Sequence, residues 1–162
     1  MLPKKSWQNR CFEIRNLLNP YFCTSLIWES IDGFCEEKKE GMSFSLAFLV
    51  LPFLLHNDIR EKLPDRKDTN LLSWVEKINK ETFIRIPAYC HNLAPYTRES
   101  IILGIQQQQL FFNGKGLLQS VENKNLKKSE ELKEYRKKAQ MLGKLFATIS
   151  PEVIFRTLEL TP

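Results

Sequence analysis

Met42 to Leu63 reads MSFSLAFLVLPFLLHNDIREKL, and its first fourteen residues are nearly all apolar before the chain turns polar at His56. A membrane-spanning helix needs about 20 consecutive apolar residues. This run is shorter, contains Pro52, and is followed at once by Asp58, Arg60, Glu61 and Lys62. It therefore predicts a helix buried on most sides inside a soluble domain. Gly41 ahead of it and Leu63-Pro64 behind it are the residue types that punctuate helices. Pro52 lacks a backbone donor, which predicts a kink or a restart into two shorter helices.

The rest of the chain is sized to bury such an element. A length of 162 residues fits one domain, or a domain with an appendage, and buries roughly two thirds of its unfolded surface. Apolar content of 43% and charged content of 27% are ordinary for a globular protein, which argues against wholesale disorder. Eleven Phe, three Trp and four Tyr fit a protein that packs large rings in its core and against partners. The net charge of +5 is spread and interleaved with acids, so it is weak evidence for a nucleic-acid surface. Cys11, Cys23, Cys35 and Cys90 contain no Cys-x-x-Cys pair and read as reduced packing cysteines. Met1 to Arg10 is polar, without the apolar stretch of a signal peptide, and the cytoplasm is the expected compartment.

In chain order, the first eighteen residues mix Trp7, Cys11, Phe12, Ile14, Leu17 and Leu18 with basic and polar residues, as an arm or a short helix. Asn19-Pro20 then predicts a helix start, with Asn as cap and Pro at the first helical position. That helix is expected to reach about Lys39, burying Cys23, Ile27, Ile31 and Phe34. Beyond the central run, Thr69 is a candidate cap for a helix lined by Leu71, Leu72, Val75 and Ile78. Glu81 to Asn92 predicts a short helical piece broken by Pro87, and Thr97 to about Gln108 a further helix restarting after Pro95. The period then changes: Leu110-Phe111-Phe112, a turn at Asn113-Gly114-Lys115-Gly116, and Leu117 to Ser120 predict a β-hairpin. Seven Lys or Arg against four Glu fill Glu122 to Lys138, predicting a loop and then a helix from near Ser129. Leu132, Tyr135, Ala139, Leu142 and Phe146 form its stripe. Ser150-Pro151 opens a last helix, Glu152 to Leu160. The predicted fold is mainly α, a helical domain containing a winged helix-turn-helix with one small β-hairpin wing. It divides into an N-terminal arm and helix (1–40), a winged-helix core (41–121) and C-terminal helices (122–162).

Catalytic chemistry finds few candidates. His56 and His91 are the two histidines, and on a helix His56 and Asp58 would project about 200° apart. No serine lies in a nucleophile elbow, and Gly114-Lys115-Gly116 lacks the spacing of a phosphate loop. No metal, cofactor or catalytic residue is expected. A winged helix raises DNA binding, with Thr97–Gln108 as recognition helix and Arg98 and Lys115 as possible nucleic-acid contacts. A DNA reader assembles several phosphate-contacting bases around such a helix, and few stand here.

Several stretches in sequence order carry a resemblance: Asn19-Pro20-x-Phe22 with Leu26-Ile27-Trp28-Glu29-Ser30, and Leu46 to Pro52 with Leu55-His56 and Arg60-Glu61-x-Leu63-Pro64. Pro95-Tyr96-Thr97-Arg98-Glu99, the glycine-containing wing, Leu142-Gly143-x-x-Phe146-Ala147 and Ile154 to Pro162 complete it. From about residue 19 onward the chain resembles the small middle component of bacterial three-component ABC-ATPase systems, the family that includes the accessory subunit of Lamassu-type defence. The resemblance implies a non-enzymatic adaptor that accompanies an SMC/Rad50-like coiled-coil ATPase and an effector, often a nuclease, in anti-phage or anti-plasmid defence. DNA would reach it through the complex, and no membrane is implicated. Trp7, Phe12, Trp28, Phe155 and Leu158 are the candidate partner contacts, each with the chain's own core as the alternative. A winged-helix DNA-binding regulator is the second reading, and a small hydrolase the third.

Overall fold

In a computed structural model, residues 18–66, 69–122 and 132–161 are described. They are mainly helical: α1 (Pro20–Glu37), α2 (Phe44–Leu55), α3 (Asn57–Glu61), α4 (Leu71–Val75) and α5 (Lys80–Gln106) precede a hairpin of β1 (Leu110–Phe112) and β2 (Leu118–Ser120), and α6 (Lys133–Ala147) and α7 (Pro151–Thr157) follow. The expected arm containing Trp7 and Phe12, and the expected helix start at Ser129, lie outside the described residues.

α1 begins as its sequence predicts, with the Asn19 side chain accepting from the Tyr21 amide at 2.9 Å and Pro20 in the first turn. Its buried face, Cys23, Leu26, Ile27, Ile31 and Phe34, runs along the middle of the core. α6 lies against it so closely that backbones touch. A Cβ placed on Gly143 would sit 1.8 Å from the Ser30 carbonyl oxygen, and one on Gly33 would sit 2.3 Å from that of Gln140. Glu29, buried in α1, receives the guanidinium of Arg136 from α6 through Nε at 2.6 Å and through Nη2. At the solvent end of the same seam Lys144 meets Glu36 at 2.8 Å. The Ser120 hydroxyl donates to Asp32 at 2.9 Å and fastens β2 to α1; burial raises the Asp32 carboxyl above its ordinary value and the Ser120 bond opposes that rise.

The apolar run is the buried helix its composition predicts: Leu46, Ala47, Leu49, Val50, Leu51, Phe53 and Leu54 are all core. The break falls at His56 rather than at Pro52, because Pro52 is accommodated inside α2 and His56 adopts an extended conformation between α2 and α3. Arg60 reaches back to close the end of α2, donating to the Leu54 carbonyl at 2.8 Å and to the Asn57 side chain. Its guanidinium also lies 4.4 Å above the Tyr135 ring of α6. A cation at a helix C-terminus neutralises carbonyls that have no intrahelical partner.

Two sequence expectations need correction. Glu81–Asn92 and Thr97–Gln108 are not separate helices but parts of one 27-residue helix, α5, which continues through Pro87 and Pro95. Both prolines face solvent, so each removes one amide donor where water can serve the freed carbonyl, while Ile86, Thr97 and Ile101 anchor the helix on either side. The cap of α4 is Asn70, whose side chain accepts from the Leu72 amide at 2.9 Å. Thr69 instead donates to the Arg66 carbonyl. Leu72 of that short helix points outward, and Leu71, Trp74 and Ile78 point inward.

Gly143→Ala is expected to lower stability by about 1–3 kcal/mol through overpacking, despite the ~1 kcal/mol that alanine gains over glycine in a helix. Gly114→Ala, whose Cβ would meet nothing within 4 Å, is the neutral comparison in the same urea-unfolding experiment, and equal midpoints would contradict the close approach. Glu29→Ala leaves the Arg136 guanidinium facing the interior and is expected to cost about 3 kcal/mol.

Candidate docking surface

Near the hairpin, apolar rings leave the core and gather on the surface. Met42 and Leu118 exchange two backbone hydrogen bonds, 2.8 Å in each direction, which anchors the start of α2 beside the hairpin. Gly41 makes the approach possible: its φ is +100°, and a Cβ there would lie 2.9 Å from the Leu118 oxygen. Phe44 and Phe48, one turn apart at the start of α2, pack edge to face with centroids 5.0 Å apart. Phe112 of β1 comes 5.8 Å from Phe44. Phe44 is 44% exposed and Phe112 43%.

α5 borders these rings. It runs antiparallel to α2: His56 stacks on Tyr89 at 4.2 Å, and Phe48 lies 5.9 Å from the guanidinium of Arg98. Ile102 follows Arg98 by about one turn on α5. Ile102 is 51% exposed, and Ile105, next along the same face, is also exposed. Scattered exposed apolar residues are normal, but a contiguous set rimmed by polar groups marks an interaction site. Phe44, Phe48 and Phe112, with Arg98 at the rim, make such a set.

The residues singled out from sequence fall elsewhere or at its margin. Trp28, Phe155 and Leu158 are buried in the chain's own core, and the Trp28 indole N–H donates to the Val121 carbonyl at 3.1 Å. Trp7 and Phe12 lie outside the described residues. Arg98 and Lys115 are exposed, Arg98 against the ring of Phe48 and Lys115 in the hairpin turn, where its amide donates to Asn113. Sequence reasoning missed Phe44, Phe48 and Phe112. The one available signal was the recurrence of Phe four residues apart at the start of the apolar run, next to a helix boundary.

Reactive chemistry is poorly provided for among the described residues. Cys23, Cys35 and Cys90 are free thiols; burial pushes Cys23 up to about 12 and Cys90 up to about 11, and raises Cys35. A thiol that keeps its proton is neither a good nucleophile nor a metal ligand. No group of three or more His, Cys, Asp or Glu is disposed to hold a metal among the described residues. His56 stacks on a tyrosine, and Asp58 is committed to Lys62 at 2.7 Å, with a bond from Thr82 also holding its carboxyl below the usual range. A half-open cleft lined by Pro87, Cys90, His91, Glu159, Leu160 and Thr161 brings one protonated thiol beside one imidazole. No helix of the described residues is long and apolar enough to cross a membrane.

The sequence matches the family described as ABC-three component (ABC-3C) system Middle Component 3 over residues 7–162. The chain belongs to this family. The match includes the residues of the exposed ring cluster and of the α1–α6 seam. As a Middle Component 3 protein the chain is one part of a multi-component system. Comparison with curated proteins and with solved structures returned no match.

The buried thiols give stability a specific dependence on alkaline pH. An unfolded thiol deprotonates near 9.0, whereas folded Cys23 holds its proton to about 12. The folded state therefore binds more protons above pH 9.0, and stability present below that value is lost as pH rises toward 12, by about 1.4 kcal/mol per pH unit for one thiol. Urea unfolding at pH 8, 9.5 and 10.5 is expected to show a steeper decline for the native chain than for Cys23→Ala; parallel declines would contradict it.

Proposed function

We propose that the chain is a non-enzymatic adaptor that holds an effector, nuclease in class, to an SMC/Rad50-like coiled-coil ATPase in an anti-phage or anti-plasmid complex of the Lamassu type. The carrying observation is the cluster of Phe44, Phe48 and Phe112 left on the surface of a chain whose core already contains some thirty buried apolar residues. Half-exposed rings fixed by a rigid scaffold are the material from which binding hot spots are made. Membership of a middle-component family supplies the partners such a surface would need. Bond-making then belongs to those partners, which agrees with the raised thiols and with the pairing of Asp58 to Lys62. The site of action is the cytoplasm, with DNA reached through the assembled complex.

The second reading, a winged-helix DNA-binding regulator, draws support from the Met42–Leu118 bridge, which adds a third strand position to the hairpin as wings of that class have. Its weakness is chemical. In the last turns of α5, exposed Arg98, Ile102, Ile105 and Gln106 offer one cation and two apolar side chains, and a groove-reading helix needs several contacts to phosphate and bases.

Co-expression with the products of its neighbouring genes decides between them. The chain is expected to co-purify with a large ATPase, and Phe44→Ser with Phe112→Ser is expected to lower retention at least tenfold while the melting temperature falls by only a few degrees. Purification alone from cells carrying the whole gene set would refute the adaptor. Sub-micromolar, sequence-dependent DNA affinity of the isolated chain would establish the regulator in its place.

A further inference from the structure

β1 is an open edge, and its backbone says which groups face outward. Asn113 donates to the Leu117 carbonyl at one end of the hairpin ladder, and Val121 to that of Gln109 at the other. Between them Leu110 pairs with Ser120, Phe111 with Gln119 and Phe112 with Leu118. Hydrogen-bonded and non-bonded pairs alternate along an antiparallel ladder. Gln109, Phe111 and Asn113 therefore bond toward β2, and the N–H and C=O of Phe112 turn away from it. Leu118, opposite Phe112, confirms the alternation, because its own N–H and C=O bond outward to Met42. No backbone partner meets the outward groups of Phe112 among the described residues.

The side chains repeat the pattern. Met42, Leu118 and Phe112 form one row across the sheet; the first two are fully buried, and Phe112, at the edge, is 43% exposed. A strand added about 4.8 Å beyond β1 would extend that row and cover the Phe112 ring.

We propose that β1 receives an added strand from a partner component: an extended segment of alternating apolar and acidic residues that bonds to the outward groups of Phe112 and lays its apolar side chains over Phe112 and Phe44. This rests on the adaptor reading and specifies its mode. Charge selects the occupant. Among the exposed residues of β1 and of the last turns of α5, Arg98 is the one charge, Glu99 beside it being half-buried; Lys115 stands exposed in the hairpin turn, and the chain is net +5. A second copy pairing β1 with β1 about a two-fold axis would bring this basic rim against itself. A nucleic acid could stack on the rings but would leave the outward N–H of Phe112 without a strand to bond. Main-chain bonds at an exposed edge supply affinity in such strand addition, and alternate side-chain pockets supply selectivity.

Phe112→Ala removes the ring, and Phe112→Pro removes the ring and the outward N–H while leaving every bond between β1 and β2 in place, which an edge strand tolerates. The full chain, co-expressed with the products of its neighbouring genes, is compared in these two forms by retention on affinity capture. Phe112→Pro is expected to retain partner at least tenfold less than Phe112→Ala. In the native complex the Phe112 amide is expected to exchange hydrogen at least tenfold more slowly than in the isolated chain, a measurement that carries the test alone if the proline variant does not fold. Equal retention of the two variants with an unprotected amide would overturn strand addition and leave the adaptor standing, and no complex at all would overturn both. Protection conferred by single-stranded DNA, or a dimer of the isolated chain that Phe112→Pro dissociates, would also overturn it by naming a different occupant.

Discussion

Backbone contact between α1 and α6 is the constraint on which the remaining structure depends. Glycine at 33 and 143 lets the two helices meet with no side chain between them, and this leaves no room for solvent at the seam. Glu29 is therefore taken out of water, and its charge is tolerable because Arg136, 107 residues away in sequence, enters the same space with two N–H donors. A buried carboxylate without that partner would oppose folding. The pair thus selects one axial position of α6 along α1, where a purely apolar seam would accept several. α1 packs against α6, α5, α2 and β2 and is the element on which they meet. Thr24 bonds to the Ser100 carbonyl of α5 at 3.0 Å, and Asp32 takes the Ser120 hydroxyl of the hairpin.

Local chemistry made much of this architecture readable in the sequence. Asn19-Pro20 starts a helix wherever it occurs before an apolar stripe, the Asn113-Gly114 turn closes a hairpin by its own side-chain bonds to Lys115 and Leu117, and the stripe from Tyr135 to Phe146 has one period and one meaning. What misled was proline. Its cost in a helix is charged against an isolated segment, about 3 kcal/mol in exposed interiors. α5 is not isolated: Ile86, Ile101 and Ser100 are held in the core, and the helix can bend at Pro87 and Pro95 without releasing them. The break expected at Pro52 falls at His56 instead, where Arg60 closes the end of α2 while its guanidinium lies over Tyr135 of α6. Contacts of that range leave no mark on local periodicity.

The same limit explains why the surface rings were not read. Trp28, Phe155 and Leu158 sit on apolar stripes, and the structure buries them. Phe44 and Phe48 lie inside a run that is buried almost throughout, and composition gives no reason to except them. Their exposure arises from geometry: the Met42–Leu118 bridge fixes where α2 begins, α5 passes on one flank with Arg98, and β1 is the edge strand, with no backbone partner for the outward groups of Phe112 among the described residues. A ring's apolar character is a property of the residue, whereas its being covered depends on which neighbours reach it.

A half-covered phenylalanine on an open strand edge carries risk, because unpaired main-chain groups beside apolar side chains invite indiscriminate pairing. The features of this edge limit that risk without closing it. β1 has three residues, too few to nucleate an extended sheet, the turn beside it carries Lys115, and Arg98 lies across the adjoining ring. An edge under selection only for solubility would replace Phe112 with a polar residue at little cost, because that ring contributes less to the core than Leu118 beside it. Under the proposed strand addition, an exposed ring on a short edge with Lys115 in its turn and Arg98 nearby would favour a partner that supplies a strand, an apolar side chain and a negative charge together. Such a conjunction is demanding enough to distinguish one segment of a cognate component from the many apolar segments that unfolding proteins expose.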